Sequence, residues 1–235
     1  MDLLCLSITF VIAMNYKYLI TFIGLMLMAI GFAERGWLIL LVWFGVVFFI
    51  PGLAHWLGAH RIFGKRPDGI IPVWHRLIFF PLLGYTFIVW HLTRLLSQES
   101  AYNSVTDQLV VGRRLLPSEL RDRFDNYIDL TAEFSEPADV RCSPAYRCFP
   151  ILDGAAPTSS ALRQSVSRLR PGRTFIHCAQ GHGRTGLFAL AVLLKSGAIT
   201  DVEEGLRILT AARPAIRLNG EQRKCILNFA KELAV

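Results

Sequence analysis

Cys178 and Arg184 stand with five residues between them in the stretch His177-Cys-Ala-Gln-Gly-His-Gly-Arg-Thr-Gly186, with glycines at 181, 183 and 186. Those residue types can build a phosphate cradle around a nucleophilic thiol. A loop that wraps an anion must aim successive backbone N–H groups at one point, and glycine permits the angles and the close approach this needs. A thiol attacks phosphorus as the thiolate, a form favoured by converging N–H groups at a helix N-terminus. The guanidinium of Arg184 can hold two phosphate oxygens and follow them into a transition state. Thr185 can donate its hydroxyl to the sulfur as the thiolate leaves, His177 can order the loop from behind, and Gly186 supports its far end. Ala179, Gln180, Gly181, His182 and Gly183 complete the cradle.

The elements needed to position such a loop lie on either side of it. Arg173-Thr-Phe-Ile-His177 reads as a short buried strand, and Leu187 to Lys195 as an apolar helix whose N-terminus faces the anion.

On these residues the chain resembles the cysteine-dependent protein tyrosine phosphatases, in their dual-specificity branch, whose loop reads His-Cys-x-x-Gly-x-x-Arg-Ser/Thr-Gly. The resemblance runs from about Asp107 to the C-terminus. Leu109-Val-Val-Gly112 is similar to the family's opening strand, Tyr127-Ile-Asp-Leu-Thr131 to its second strand, and Arg213-Pro214 through Gln222 to the helical end of the domain. It implies an α/β fold, a central sheet flanked by helices. It also implies hydrolysis of a phosphomonoester through a phospho-cysteine intermediate, with neither cofactor nor metal. The substrate it implies is phosphotyrosyl protein, with or without phosphoserine and phosphothreonine. A membrane phospholipid, such as a phosphatidylglycerophosphate or a phosphoinositide, is the alternative. A catalytically silent phosphate-binding membrane scaffold is a third reading.

The mechanism implied needs a general acid for the leaving oxygen. In the family this is an Asp on a mobile loop before the Cys. Here Phe149-Pro-Ile-Leu-Asp-Gly-Ala-Ala-Pro157 fits, with Asp153 standing 25 residues ahead of Cys178. Asp153-Gly154 is also a good turn pair in its own right. Asp139 is the second candidate acid.

The first part of the chain is different in kind. Leu3–Tyr16, Tyr18–Ala33, Trp37–Ala59 and Leu77–Thr93 contain no Asp, Glu, Lys or Arg. A membrane-crossing helix needs about 20 mostly apolar residues. Trp37–Ala59 clears that length and Leu77–Leu96 nearly does, with Trp74 and Trp90 as interfacial residues. The expected organisation is a membrane region over 1–96 with two to three transmembrane helices, a polar linker over 97–106, and the catalytic domain over 107–235. The start carries Asp2 and no basic n-region, so a cleavable signal peptide is not expected.

Arg61, Lys65, Arg66 and Arg76 lie between the second and third apolar runs, which puts that loop in the cytoplasm. Three complete spans would then place Cys178 outside. A reactive thiol suits a reducing compartment, and cysteines 5, 142, 148, 178 and 225 form no disulfide framework. A re-entrant or interfacial third run, which Pro81 and Gly84 permit, reconciles the two arguments. The expectation is an integral membrane protein with a cytoplasmic catalytic domain. After residue 100, 15 Arg and 3 Lys against 14 acids leave a net charge of +4, which can favour an anionic substrate or headgroup and is equally that of an ordinary mildly basic domain. Partners expected are the bilayer and a phosphoprotein or phospholipid, with no nucleic acid. Histidines 55, 60, 75 and 91 cluster in the membrane part without ligand spacing, and Cys142 and Cys148 read as packing residues. His182, inside the cradle, can add positive charge toward an acidic substrate.

Overall fold

A computed structural model describes residues 16–34, 36–120 and 122–233. Most of the first apolar run, Leu3–Tyr16, lies outside them. The chain enters through α1 (Tyr16–Glu34), turns through a 3₁₀ segment (Gly36–Ile39) and returns along α2 (Leu40–Leu57). The two helices form a hairpin with backbones almost touching. A Cβ on Gly24 would come within 2.6 Å of the Phe49 nitrogen and 2.7 Å of the Gly45 oxygen. Small residues at such a contact are what lets apolar helices pack closely without polar anchors.

The helix Gly36–Leu57 is long and apolar enough to cross a membrane, whereas the apolar helix Tyr18–Glu34 is shorter. The third run, expected as a near-complete span, breaks instead at Phe79 into α3 (Val73–Ile78) and α4 (Phe80–Leu96, 17 residues). Trp74 is exposed, but Trp90 is only 1% exposed and packs inside the protein rather than at a lipid interface. Its indole N–H has a protein acceptor, which hydropathy alone does not reveal.

Beyond α4 comes a five-stranded sheet: β1 (Tyr102–Ser104), β2 (Leu109–Arg113), β3 (Asn126–Thr131), β4 (Tyr146–Ile151) and β5 (Thr174–Cys178), in the order β1-β2-β5-β3-β4. β1 is antiparallel to β2 and the other pairs are parallel. The stretch 97–106, expected to be a linker, therefore contains a strand: Tyr102, Asn103 and Ser104 pair with Gly112, Val111 and Val110. Pairing at a sheet edge uses backbone groups and needs no apolar pattern, so nothing in the polar composition signalled it.

β5 is the middle strand, with Ile176 level with Val111 on one side and Ile128 on the other. Side chains alternate along it, as a strand requires. Ile176 and Cys178 enter the larger core and Phe175 a smaller cluster with Val110 and Tyr127. Between β3 and β4 lies the short α5 (Ala138–Arg141), and between β4 and β5 lies α6 (Ser159–Ser167). After β5 follow α7 (Gly183–Lys195), α8 (Val202–Ala212) and α9 (Gly220–Leu233). Leu187 through Ala191 of α7 are all buried, because α6, α8 and α9 pack around this helix. A helix apolar on every side belongs in a core.

The loop between α2 and α3 is packed into the sheet. Phe63, Ile71 and Phe79 share the larger core with Ile128, Ile151 and Ile176. Lys65, 2% exposed, donates to Asp129 Oδ2 (2.5 Å), the Thr131 carbonyl (2.7 Å) and Thr131 Oγ1 (2.9 Å), so its ammonium is fully satisfied. By sequence it reads as a loop charge facing the cytoplasm, yet it is the buried counter-ion of β3. Burial would raise the pKa of Asp129. The Lys65 charge, then His177 and hydrogen bonds from Lys65 and Tyr146, outweigh it and hold the carboxyl at about 2.

Breaking a buried ion pair on one side typically costs about 3–5 kcal/mol, because the other charge is stranded. Lys65→Met should therefore lower the unfolding free energy of the full chain in detergent by an amount in that range, read from the shift of its denaturation curve. A fragment starting near Ser100 lacks the same cation and should fold poorly. Asp129 is held below its unfolded pKa of about 3.9, so its contribution is complete above that pH. It is lost as pH falls through about 2, and acid unfolding of the parent should show it while Lys65→Met should not.

Candidate active site

β5 delivers Cys178 to the floor of a cavity of about 830 Å³, and the loop Ala179–His182 curls over it into the N-terminus of α7. The backbone N–H of Gly181 points at the Cys178 sulfur, 3.2 Å away. The reason lies on the outside of the loop. The Ala179 carbonyl accepts from Trp90 Nε1 (3.0 Å), the Gln180 carbonyl from Arg213 Nη2 (3.0 Å), and the Gly181 carbonyl from Arg213 Nε (3.0 Å). With successive C=O groups held outward, the alternating peptide N–H groups are left for the interior, a nest for an anion. Gly181 has φ +78°, and a Cβ there would lie 2.4 Å from the Gly112 carbonyl, so no other residue fits.

Arg213 is buried and bonded in full. Besides the loop it donates to the Ser100 carbonyl, Asn103 Oδ1 and Glu99 Oε2, each at 2.9 Å. Trp90 is held in turn by Phe134, at 5.6 Å between centroids, and by the Arg114 guanidinium 5.2 Å above its ring. His182, placed in the cradle from sequence, turns its Nε2 to Glu99 at 2.8 Å, so its ring contributes to the same outer brace.

Arg184 sits in the first turn of α7, 2% exposed. Glu133 receives it in a fork, Nη1 to Oε2 at 2.9 Å and Nη2 to Oε1 at 2.7 Å, and the Ile151 carbonyl accepts a second bond from Nη1 at 2.9 Å. Nη1 is thereby used up. Nε is buried and has no partner among the described residues, and Nη2 is shared with Asp153 Oδ1 at 3.1 Å. The Nε–Nη2 edge is the one available to a bidentate oxyanion.

Asp153 follows β4 in a turn closed by Gly154, lines the cavity and is 65% exposed in its side chain. Asn219 Nδ2 donates to the Gly154 carbonyl at 2.7 Å and ties this loop to the start of α9. Asp139 is exposed in α5 and does not line the cavity. Thr185 is buried, and its hydroxyl has no hydrogen-bond partner among the described residues, so it is uncommitted. Gly183 lines the cavity with Gln180, and Gly186 begins the helical ladder by donating to the His182 carbonyl at 2.8 Å.

His177 lies behind the loop on the opposite face of β5 from Cys178, stacked on Phe175 at 5.5 Å. Burial lowers its pKa to about 4 against the pull of Asp129, so the ring is neutral. Asp129, Glu136 and His177 could offer ligand atoms to an ion, all within 4.8 Å of one another. The Lys65 ammonium already occupies the cation position there. Burial, then Asp129, pushes Glu136 up to about 7. Cys148 is raised to about 11 by burial and then Asp129, which makes it an unreactive thiol at neutral pH.

Glu133, Arg213 and Trp90 are site residues that sequence reasoning misses. By sequence Arg213 belongs to the helical end of the domain, and Trp90 to the membrane interface. Neither spacing nor composition links them to Cys178.

No family model matches the sequence, and the comparison with curated proteins returns no match. The structure, however, is similar to solved cysteine phosphatases. PTPMT1 in complex with PI(5)P aligns over 57% of this chain and 97% of its own at 15% identity, with a TM-score of 0.50. Human DUSP28 aligns over 58% of this chain and 97% of its own at 13% identity, TM-score 0.50. Tk-PTP in its active form aligns over 56% and 97% at 24% identity, TM-score 0.49. The fold is that of the cysteine-dependent phosphatases.

The outward brace makes a specific demand on Trp90. Trp90→Phe keeps an aromatic ring but removes the indole donor to Ala179, leaving that carbonyl the longer bond from the Arg114 N–H at 3.3 Å, and one such hydrogen bond is worth about 0.5–1.5 kcal/mol. Inorganic phosphate should bind the variant about two- to tenfold more weakly by calorimetric titration, with little change in the far-ultraviolet spectrum. Unchanged affinity would show that Ala179 needs no brace from α4.

Proposed function

We propose that this chain is a membrane-held phosphomonoester hydrolase that works through a phospho-cysteine intermediate on Cys178. The observation that carries the reading is the cradle itself: loop carbonyls braced outward, a loop N–H on the sulfur, and an arginine whose Nε–Nη2 edge is open to an oxyanion. In the first step Cys178 Sγ forms a bond to phosphorus while the bond to the leaving oxygen breaks. Phosphate on Arg184 takes the place of Asp153 at Nη2, and the released carboxylate, once it has taken a proton from solvent, gives that proton to the leaving oxygen. In the second step Asp153 takes a proton from water as its oxygen attacks phosphorus. The P–S bond breaks, inorganic phosphate leaves, and the uncommitted Thr185 hydroxyl donates to the departing thiolate.

Two features support membrane attachment with the site on the cytoplasmic side. The helix Gly36–Leu57 suffices for a crossing. The basic loop after it is packed into the catalytic sheet through Lys65, so loop and site share one side, the one that the positive-inside rule assigns to the cytoplasm. A third complete span is then unnecessary, since α4 lies along the cradle. The chemistry at Cys178 is common to phosphoprotein and phospholipid substrates. The walls of the cavity divide them.

Three variants test the division of labour. Cys178→Ser should abolish turnover and leave phosphate binding largely intact. Arg184→Lys should nearly abolish activity, since an ammonium cannot reproduce the fork. Asp153→Asn should lose about 10²–10⁴-fold on an alkyl phosphate and far less on nitrophenyl phosphate, whose leaving group departs unprotonated. An equal loss on both substrates would remove Asp153 from the acid role.

A further inference from the structure

The cavity above Cys178 has two unlike sides. One is polar: the cradle, Asp153, Arg217 and Gln222. The other comes from the N-terminal helices: Leu19 of α1, His55 of α2, and Thr86, Val89 and Thr93 of α4. A second, shallower hollow of about 380 Å³ shares Val89 and Thr93 and continues along α4 past Leu92 to Leu96. That path is apolar and open, Leu96 being 82% exposed. The two hollows thus adjoin at Val89 and Thr93, and the second opens onto exposed apolar surface of the same helical region that holds the long apolar helix Gly36–Leu57.

We propose that the phosphomonoester hydrolysed here is carried by a membrane lipid, its phosphate in the cradle and its acyl chains against α4 and the α1–α2 hairpin. The inference rests on the hydrolase reading above and adds the substrate class to it. Charge and polarity are matched along the whole length of such a ligand. Arg184 takes the phosphate, Arg217 and Gln222 flank the headgroup, and Val89, Leu92 and Leu96 meet the chains. A phosphotyrosyl peptide would leave the apolar hollow along Val89, Leu92 and Leu96 unused.

The test uses the full chain in detergent, below the micellar concentration of each substrate. Turnover is compared on nitrophenyl phosphate, a phosphotyrosyl peptide, and a panel of lipid monophosphates: phosphatidate, phosphatidylglycerophosphate and phosphatidylinositol monophosphate. Each lipid is supplied in dibutanoyl and dioctanoyl forms. Each methylene buried against the protein is worth about a fourfold gain. At least one lipid should therefore show kcat/KM more than about tenfold higher in its dioctanoyl form, and above that of the peptide. Val89→Glu should pull this chain-length ratio toward one. Equal kcat/KM at both chain lengths for every lipid, or a peptide kcat/KM above all of them, would overturn the lipid assignment while nitrophenyl phosphate turnover leaves the hydrolase intact. A ratio unmoved by Val89→Glu would remove the α4 wall from substrate recognition. Failure on every substrate, nitrophenyl phosphate included, by protein that still binds inorganic phosphate would sink the hydrolase reading itself.

Discussion

A peptide unit that presents its N–H to an anion must present its carbonyl to something else, and at Cys178 that something is distant in sequence. The peptide units that carry the Ala179, Gln180 and Gly181 carbonyls turn the N–H groups of Gln180, Gly181 and His182 inward because Trp90 and Arg213 donate to the outward-facing oxygens, with the Arg114 N–H as a second donor to Ala179. Without Arg213 the Gln180 and Gly181 carbonyls would lose these partners, and a buried acceptor left unpaired costs more than the bond is worth when formed. The cradle is therefore held from behind as much as it is built from within. The brace extends through Arg213 to Glu99, Ser100 and Asn103, and through Glu99 to His182, so the segment entering β1 belongs to the site's support.

A second buried network governs how the N-terminal helices relate to the sheet. Lys65 is inserted beside β3, where Asp129 and Thr131 use all its protons, and Asp129 in turn accepts from Tyr146 at 2.7 Å. An ammonium in such a place cannot leave without stranding a carboxylate, which locks the α2–α3 loop to the domain that carries Cys178. Together with Trp90 this gives two independent anchors, one under the sheet and one over the loop. They hold one face of α4 against the sheet and the loop that carries Cys178. An apolar helix can satisfy its surface equally against lipid or against protein, and here the indole N–H chooses protein.

Arg184 shows how a charge can be buried and still remain usable. Glu133 and the Ile151 carbonyl take the far side of the guanidinium, which offsets the cost of removing it from water, and the near edge stays open to the cavity. Asp153 occupies part of that edge without being buried itself, so an incoming phosphate can displace it at little cost.

What the sequence determined by itself is local. The Cys-x5-Arg spacing, the glycines, the buried strand before the loop and the apolar helix after it are all set within about twenty contiguous residues, where backbone geometry leaves few alternatives. The apolar hairpin was legible for the same reason, whereas the strands about Leu109–Gly112 and Tyr127–Thr131 and the candidate acid Asp153 came from the resemblance to the phosphatase family. The tertiary structure alone decided which distant residues complete the site. Glu133, Arg213 and Trp90 meet the loop across 51, 32 and 89 residues of chain. Lys65 finds Asp129 across 64. No one-dimensional pattern encodes such contacts, because a buried donor or charge is matched to its partner by position in the packed fold and not by distance along the chain.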